Sequence, residues 1–323
     1  MIRIKALVVA LLVLPLAGSA QKVANPTGLK IELKEVLTFG TEEDALFDFV
    51  TALTTDDDGF IYATDSMDCS LKKFDRHGKL LAKTGRKGQG PGEFQFPVLV
   101  EGWAGHICVV DQNLPGISVF GPNLQYQTRI PFETPIFDLR STADGRLLVL
   151  SPGLAQFPPI VEVGLKGTIG PKRAPSADPL SDFWKRTCRF ETDKSGNVFL
   201  CHSFEDSVAR YDKAMRLVWE KGLLGRPKVG TSDVKLKGQS FALPKDVVFK
   251  DIAIDSKGLL FILGGHLSEH RSRDVYVIDE SGKKLTTIVL PEPTYAIHID
   301  RDDYLFIAAG EGTGIKKYQL IYR

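Results

Sequence analysis

This chain predicts an all-β fold, a six-bladed β-propeller of four-stranded antiparallel blades, and three observations carry that prediction. A pattern of apolar strand, D-x-x-G turn and second apolar strand returns about six times, most clearly in "LTTDDDGFIYATD" (Leu53–Asp65) and again in "LRSTADGRLLVLS", "FETDKSGNVFLCH", "IAIDSKGLLFILG" and "IHIDRDDYLFIAA". Two such hairpins in succession make one blade. The last repeat stops after its third strand, and an unassigned strand stands near the other end of the chain.

Residues 1–20 place Arg3 and Lys5 before the apolar run "ALVVALLVLPLAG", with Gly18, Ser19 and Ala20 ahead of Gln21. That is the layout of a cleaved secretory signal. As a membrane anchor the run is too short, at roughly 13 residues against the ~20 needed to span a bilayer, and Pro15 interrupts it. No cysteine follows the expected cleavage site, which argues against a lipid anchor. The expectation is an exported protein, secreted or periplasmic, with one propeller domain over residues 21–323 and no membrane span once the signal is removed.

"LKIELKEVLTFG" (Leu29–Gly40) alternates apolar and polar residues as a strand does. It is the expected outer strand of the last blade, closing the ring and removing a free sheet edge. Blade one reads as "TALTTD", "FIYAT", "SLKKFD" and "KLLAKTG", with D-x-x-G turns at Asp56–Gly59 and Asp75–Gly78 in which Asp bonds the turn backbone and Gly takes a positive φ. Blade two runs through "VLVEGWAGHICVVDQNLPGISVFGPNLQYQTRI". Blade three occupies about Phe137–Gly170, blade four about Cys188–Gly222, blade five about Lys250–Leu290, and blade six begins at Tyr295.

The connector "GRKGQGPGEFQFP" (Gly85–Pro97) and the strand–turn–strand "IAIDSKGLLFI" (Ile252–Ile262) resemble the NHL-type six-bladed propellers, and in particular their secreted bacterial relatives, few of which have an assigned activity. "GQGPGEF" itself lacks the Lys-Ser/Thr of a phosphate loop and opens no helix, so its glycines are read as turning the chain between blades.

In 323 residues, 43% hydrophobic with a net charge of +1, there is enough apolar material for a large core and no excess charge to draw nucleic acid. A monomer is expected. In an exported protein the four cysteines are free to pair. If Lys194 and Ser195 form a two-residue loop, Cys188 and Cys201 face each other as a non-hydrogen-bonded pair, which leaves a disulfide or two buried thiols as the alternatives. Cys69 and Cys108 offer no comparable geometry.

Short D-x-x-G turns should gather on one face of the ring and everything variable on the other: the inserts Pro171–Thr187 and Leu223–Val247, and the loop Gly264–Asp274. Loops on a rigid scaffold are the usual place for function, so that face and the channel mouth are the expected site. The inner strands begin at Thr51, Val98, Phe137, Cys188, Lys250 and Tyr295. Amidating lyases on NHL-type propellers place zinc-binding histidines at such positions, and none of these six is histidine. Calcium-dependent lactonases on six-bladed propellers use Glu, Asn and Asp around the channel. Glu191, Asp251 and Asp138 stand near the inner strands, but whether they converge is open, and no asparagine joins them. His202, His266 and His270 fall on the loops of blades four and five, as a metal or acid–base cluster or as solvated loop residues. The inserts hold Lys172, Arg173, Lys185, Arg186, Arg226, Lys228, Lys235, Lys237 and Lys245, with Phe183 and Trp184 in the first of them. Such a rim suits an anionic or sugar-like ligand, or a protein partner.

The leading expectation is therefore a binding or interaction module for a small ligand or partner protein, with no cofactor. Its expected site residues are Lys250, Tyr295, Thr51, Phe137, Trp184, His202, His266 and His270. The alternative is a metal-dependent hydrolase or lyase, for which calcium is the divalent ion that the lactonase resemblance implies.

Overall fold

The computed structural model describes residues 28–40, 46–154, 156–168, 186–225, 229–236, 239–265 and 273–323. After β1 (Ile31–Phe39), blade one is β2 (Val50–Thr55), β3 (Ile61–Asp65), β4 (Ser70–Phe74) and β5 (Leu80–Thr84), and blade two is β6 (Pro97–Trp103), β7 (His106–Asp111), β8 (Ile117–Phe120) and β9 (Tyr126–Ile130). Blade three is β10 (Asp138–Ser141), β11 (Leu147–Leu150), β12 (Ile160–Gly164) and β13 (Gly167–Thr168), and blade four is β14 (Cys188–Thr192), β15 (Val198–His202), β16 (Val208–Tyr211) and β17 (Leu217–Lys221). A separate hairpin, β18 (Thr231–Leu236) and β19 (Gln239–Pro244), precedes blade five: β20 (Phe249–Ile254), β21 (Leu260–Gly264), β22 (Asp274–Ile278) and β23 (Lys284–Val289). Blade six is β24 (Ile297–Ile299), β25 (Tyr304–Ala309) and β26 (Gly314–Tyr322), completed by β1 in the order β1-β26-β25-β24. No helix among the described residues is long and apolar enough to cross a membrane.

The protein is thus a six-bladed β-propeller whose ring the N-terminal strand closes, pairing Ile31 with Tyr322 at one end and Phe39 with Ile315 at the other. The middle strands of a blade are buried on both faces, as in β3 and β4, while the outer β5 is largely exposed. The core accordingly divides into six clusters, each lying between two neighbouring blades. Tyr62 and Leu71 of blade one meet Val100 and Ile107 of blade two, and Phe306 and Ala308 of blade six meet Val50 and Ile61 of blade one. Burial of each such side chain contributes about 1.5–3 kcal/mol, so no seam of the ring is left weak in apolar contact.

The repeated turn works as its residues dictate. In Asp56, Asp75, Asp193, Asp212, Asp255, Asp279 and Asp300, Oδ1 accepts from the backbone N–H groups two and four residues on. The fourth position takes a positive φ, about +80° at Gly59, Gly78, Gly196, Gly258 and Gly282, and Met215 and Asp303 accept +60° and +61° where glycine is missing. A side-chain anchor repeated this faithfully is why the weak sixth repeat still makes its hairpin.

Of the two alternatives for Cys188 and Cys201, the structure holds two buried thiols, and none of the four cysteines, all buried, is bridged. Gly196 adds a third residue to the loop, so Thr192 pairs with Val198, Cys188 with His202 and Cys201 with Arg189. A one-residue shift moves a side chain to the opposite face of a sheet. Cys188 packs toward blade three beside Leu148 and Leu150, and Cys201 toward blade five beside Phe249 and Ile252.

Candidate functional site

The loops between second and third strands bond the connections between blades: Ser66 N–H to Phe49 O, Gln112 N–H to Phe96 O, Ser203 N–H to Thr187 O and Val248 N–H to Ser203 O, all at 2.7–3.1 Å. They form one loop-rich face, and the inner strands open there into a channel cavity of about 190 Å3.

Three inner strands bulge as they enter the channel. The ladder register skips Thr51, Val98 and Lys250, each of which is an extra residue between paired neighbours. A bulge re-aims the side chain it inserts, and all three residues line the cavity, as does Tyr295 just ahead of β24. Where the strand has no bulge, alternation sends the first side chain elsewhere. Cys188 is buried between blades, and the half-buried Phe137 packs against the same cluster. Of the expected site residues, Thr51, Lys250 and Tyr295 therefore meet at the mouth and Phe137 does not. His202 lies outside the cavity, buried across the hairpin from Cys188, with its Nδ1 3.5 Å from Cys188 Sγ and its ring stacked on Phe157 at 6.0 Å. Trp184, His266 and His270 lie outside the described residues.

At the mouth the Lys250 ammonium sits 5.1 Å over the Tyr295 ring, which is 56% exposed and tilts against Phe49 at 5.8 Å. Burial holds the Lys250 pKa below its ordinary value, partly offset by Asp246. Thr51 Oγ1 donates to Pro97 O at 2.8 Å, joining blades one and two.

Further in, charged residues flank the buried Leu139 and Phe190 along two inner strands, Asp251 joins them from a third, and the carboxylates converge on a guanidinium. Arg140 donates to Asp138 Oδ1 at 2.7 Å and to Glu191 Oε2 at 3.1 Å, and lies 3.5 Å from Asp251 Oδ1. The carboxylates also take backbone N–H groups: Asp138 Oδ2 from Phe190, Asp251 Oδ2 from Ile297, Glu191 Oε1 from Thr192 and Glu101 Oε1 from Ser141, at 2.8–2.9 Å. Arg189 spends Nε on Lys250 O at 3.2 Å and Nη1 on Phe137 O. His298 Nε2 and Thr55 Oγ1 share a hydrogen bond of 2.8 Å.

Every one of these links but two, those of Glu191 with Thr192 and of Arg140 with Asp138, crosses from one blade to another. With Thr51, they join all six neighbouring pairs of blades. Burial pushes Glu191 up to about 7 against the pull of Arg140, and raises Glu101 and Asp251 for the same reason. Burial and the Arg140 charge together hold His298 down to about 3, a neutral imidazole at physiological pH.

No protein-family model matches the chain, and no curated protein matches it. Solved structures do. A streptogramin B lyase shares 10% identity over 91% of this chain and 98% of its own, with a TM-score of 0.56. An auxiliary nutrient binding protein from Bacteroides thetaiotaomicron shares 11% over 85% and 69%, at 0.57. The PQQ-bound aldose sugar dehydrogenase of Streptomyces coelicolor shares 12% over 92% and 100%, at 0.58. These neighbours share the propeller and differ in their named activities, so the likeness is one of fold.

Arg140 and Arg189 are absent from the residues expected from sequence, which stand at the starts of inner strands and on loops. The signal that finds them is alternation: Asp138 and Arg140, or Arg189 and Glu191, stand two apart around a buried apolar residue.

Proposed function

We propose that the protein is an exported binding module of the NHL-like propeller type, whose loop face and channel mouth take a small polar ligand. The observation that supports this best is the division of labour in the channel: its inner polar groups are held in place by the fold, while Tyr295 and Lys250 stand at its mouth. A rigid wall with a few presented side chains is the usual form of a small-molecule site. Export rests on residues 1–20, and N-terminal sequencing of the exported protein should begin at Gln21. For binding, the test is thermal stabilisation by a panel of sugars and organic acids, compared with a Lys250→Met/Tyr295→Ala double variant. Stabilisation that survives the double substitution would remove the mouth from consideration.

A second reading, a hydrolase or lyase, is favoured by Glu191, whose carboxyl near pKa 7 can both give and take a proton at neutral pH. The metal-dependent form fits the donor set poorly. Asp138, Glu191 and Asp251 are already engaged by Arg140 and by backbone N–H groups, and no group of three His, Cys, Asp or Glu among the described residues is placed to hold an ion. Stoichiometric calcium or zinc in the purified protein, together with lactone hydrolysis lost in Glu191→Gln, would reverse the preference.

A further inference from the structure

We propose that the channel takes a neutral polyol of sugar-ring size, its hydroxyl groups bonded by Arg189, Glu101 and His298 and its carbon face lying on Tyr295. This rests on the channel-mouth reading and adds the chemical class of the ligand.

The class follows from the hydrogen-bonding capacity left in the channel wall once its internal ties are subtracted. Asp138, Glu191 and Asp251 have both carboxyl oxygens engaged, each by backbone N–H groups and by Arg140, which lies 3.5 Å from Asp251. Three other residues that line the cavity keep capacity among the described residues. Glu101 accepts both the N–H and the hydroxyl of Ser141 on Oε1, which leaves Oε2. Arg189 gives Nε to Lys250 O and Nη1 to Phe137 O, and a guanidinium has five N–H groups to give. His298 meets Thr55 through Nε2 and keeps Nδ1. The wall thus offers donors at Arg189, an acceptor at Glu101 and an imidazole nitrogen between the two roles.

Its charges, in contrast, already answer one another. Burial raises Asp251, and the charges of Arg140 and Arg189 oppose that rise, so the Arg189 charge acts on its own wall. Burial raises Glu101 as well, against Arg140, which reduces the negative charge that a cation or a zwitterion would meet there. An anion would answer Arg189 but face the Asp138 and Asp251 carboxyls, and a cation would face two guanidinium groups. A hydroxyl both donates and accepts, so a polyol can meet all three residues without carrying a charge into a dry site.

The cavity also sets the size. At about 190 Å3 it falls below the ~300–1,000 Å3 of drug-sized sites. Tyr295 and His298 stand three residues apart, at most ~10 Å of chain. With a hydrogen bond of ~2.8 Å at the lower end, that depth suits one ring rather than two. Tyr295, 56% exposed at the mouth, offers its aromatic face to the C–H side of such a ring.

Calorimetric titration of the protein with myo-inositol, galactose, galacturonate and serine tests the class. At least one of the two neutral rings should bind, roughly tenfold or more tighter than the uronate or the amino acid. Arg189→Lys keeps the charge and loses the fork, and should weaken that binding roughly tenfold. Because Arg189 also ties blades together, Glu101→Gln serves as the second variant: its amide oxygen still serves Ser141, it should melt like the parent, and it should weaken the neutral ring about threefold. Tighter binding of galacturonate or serine than of both neutral rings, lost in Lys250→Met/Tyr295→Ala, would overturn the neutral class and leave the mouth reading standing. Neutral-ring binding lost in that double variant but untouched by Arg189→Lys and Glu101→Gln would overturn the polar contacts assigned here. Binding indifferent to all three variants would defeat the mouth reading as well. Absence of heat with both neutral rings would overturn the class.

Discussion

The channel of this propeller has two levels that look alike in composition and differ in what holds them. The inner ring of Glu101, Asp138, Arg140, Glu191, Asp251 and His298 is rich in the residues from which active sites are made, yet each of the six takes part in a hydrogen bond that ties one blade to another. The rim has ties of this kind at Thr51 and at the Lys250 carbonyl, but it also sets the Lys250 ammonium over the exposed Tyr295 ring. Polar residues in a propeller channel thus have a structural use that must be subtracted before any functional one is assigned. What remains after the subtraction lies mainly at the mouth.

The ring can be broken hardest by opening it. Deleting Leu29–Phe39 removes the whole β1 ladder and bares the edge of β26, in a fold whose blades depend on neighbours at both sides. Loss of the cooperative melt, or oligomers by light scattering, is expected. A monomer melting at the parental temperature would show that the channel ties alone keep the circle shut.

Next in size is Arg140→Met, which leaves Asp138, Glu191 and Asp251 together without their guanidinium. Removing one partner of a buried ionic group costs about 3–5 kcal/mol, read as a lower urea midpoint. A loss below about 1 kcal/mol would mean that the backbone N–H groups carry the ring and that Arg140 is free for another role.

A smaller effect comes from pH. Burial raises Glu191 from its ordinary 4.5 to about 7, so the folded state holds this proton more tightly than the unfolded chain does. Its contribution is complete below the unfolded value and is lost as pH rises through about 7. His298 acts in the opposite sense, its depressed pKa costing stability as pH falls below the ordinary 6.5. The difference between parent and Glu191→Gln isolates the carboxyl: from pH 5 to pH 8 the parent should lose more of its melting temperature than the variant. Parallel profiles would mean that the carboxyl is ionised throughout and held by Arg140 alone.

The rim should respond least. Lys250→Met and Tyr295→Ala each give up a cation–π contact at a half-open site, worth below about 1 kcal/mol. A larger loss at either position would erase the distinction between the levels.

The fold was legible because one turn chemistry repeats: Asp accepts two N–H groups and a residue at positive φ closes the loop, whether or not the rest of the repeat is worn. The site was legible in part. Thr51, Lys250 and Tyr295 follow from where inner strands begin, but the bulges that aim Thr51 and Lys250 into the channel depend on ladder register, which residue types do not announce. Phe137 was expected on the same logic and misses the cavity because its strand enters without a bulge, whereas His202, expected on a loop, instead ends β15, buried across the hairpin from Cys188. The meeting of Asp138, Glu191 and Asp251 on Arg140 needs the closed ring, since it joins blades three, four and five.

The smallest effect expected is none at all, and it bears on how firmly blade four is set. A Cys188–Cys201 bridge would require a two-residue loop, with both sulfurs on one face of the hairpin. Gly196 lengthens the loop, and the two side chains leave the sheet on opposite sides, toward blades three and five. Burial raises both thiols above their ordinary value, which keeps them unreactive even in an oxidising compartment. Dithiothreitol should therefore leave the melting temperature unchanged, and alkylation of unreduced, denatured protein should label all four cysteines. A mass two hydrogens lower, with Cys188 and Cys201 in one linked peptide, would place blade four in the other register. That register would turn Arg189 and Glu191 away from the channel, and with them one wall of both the ring and the rim.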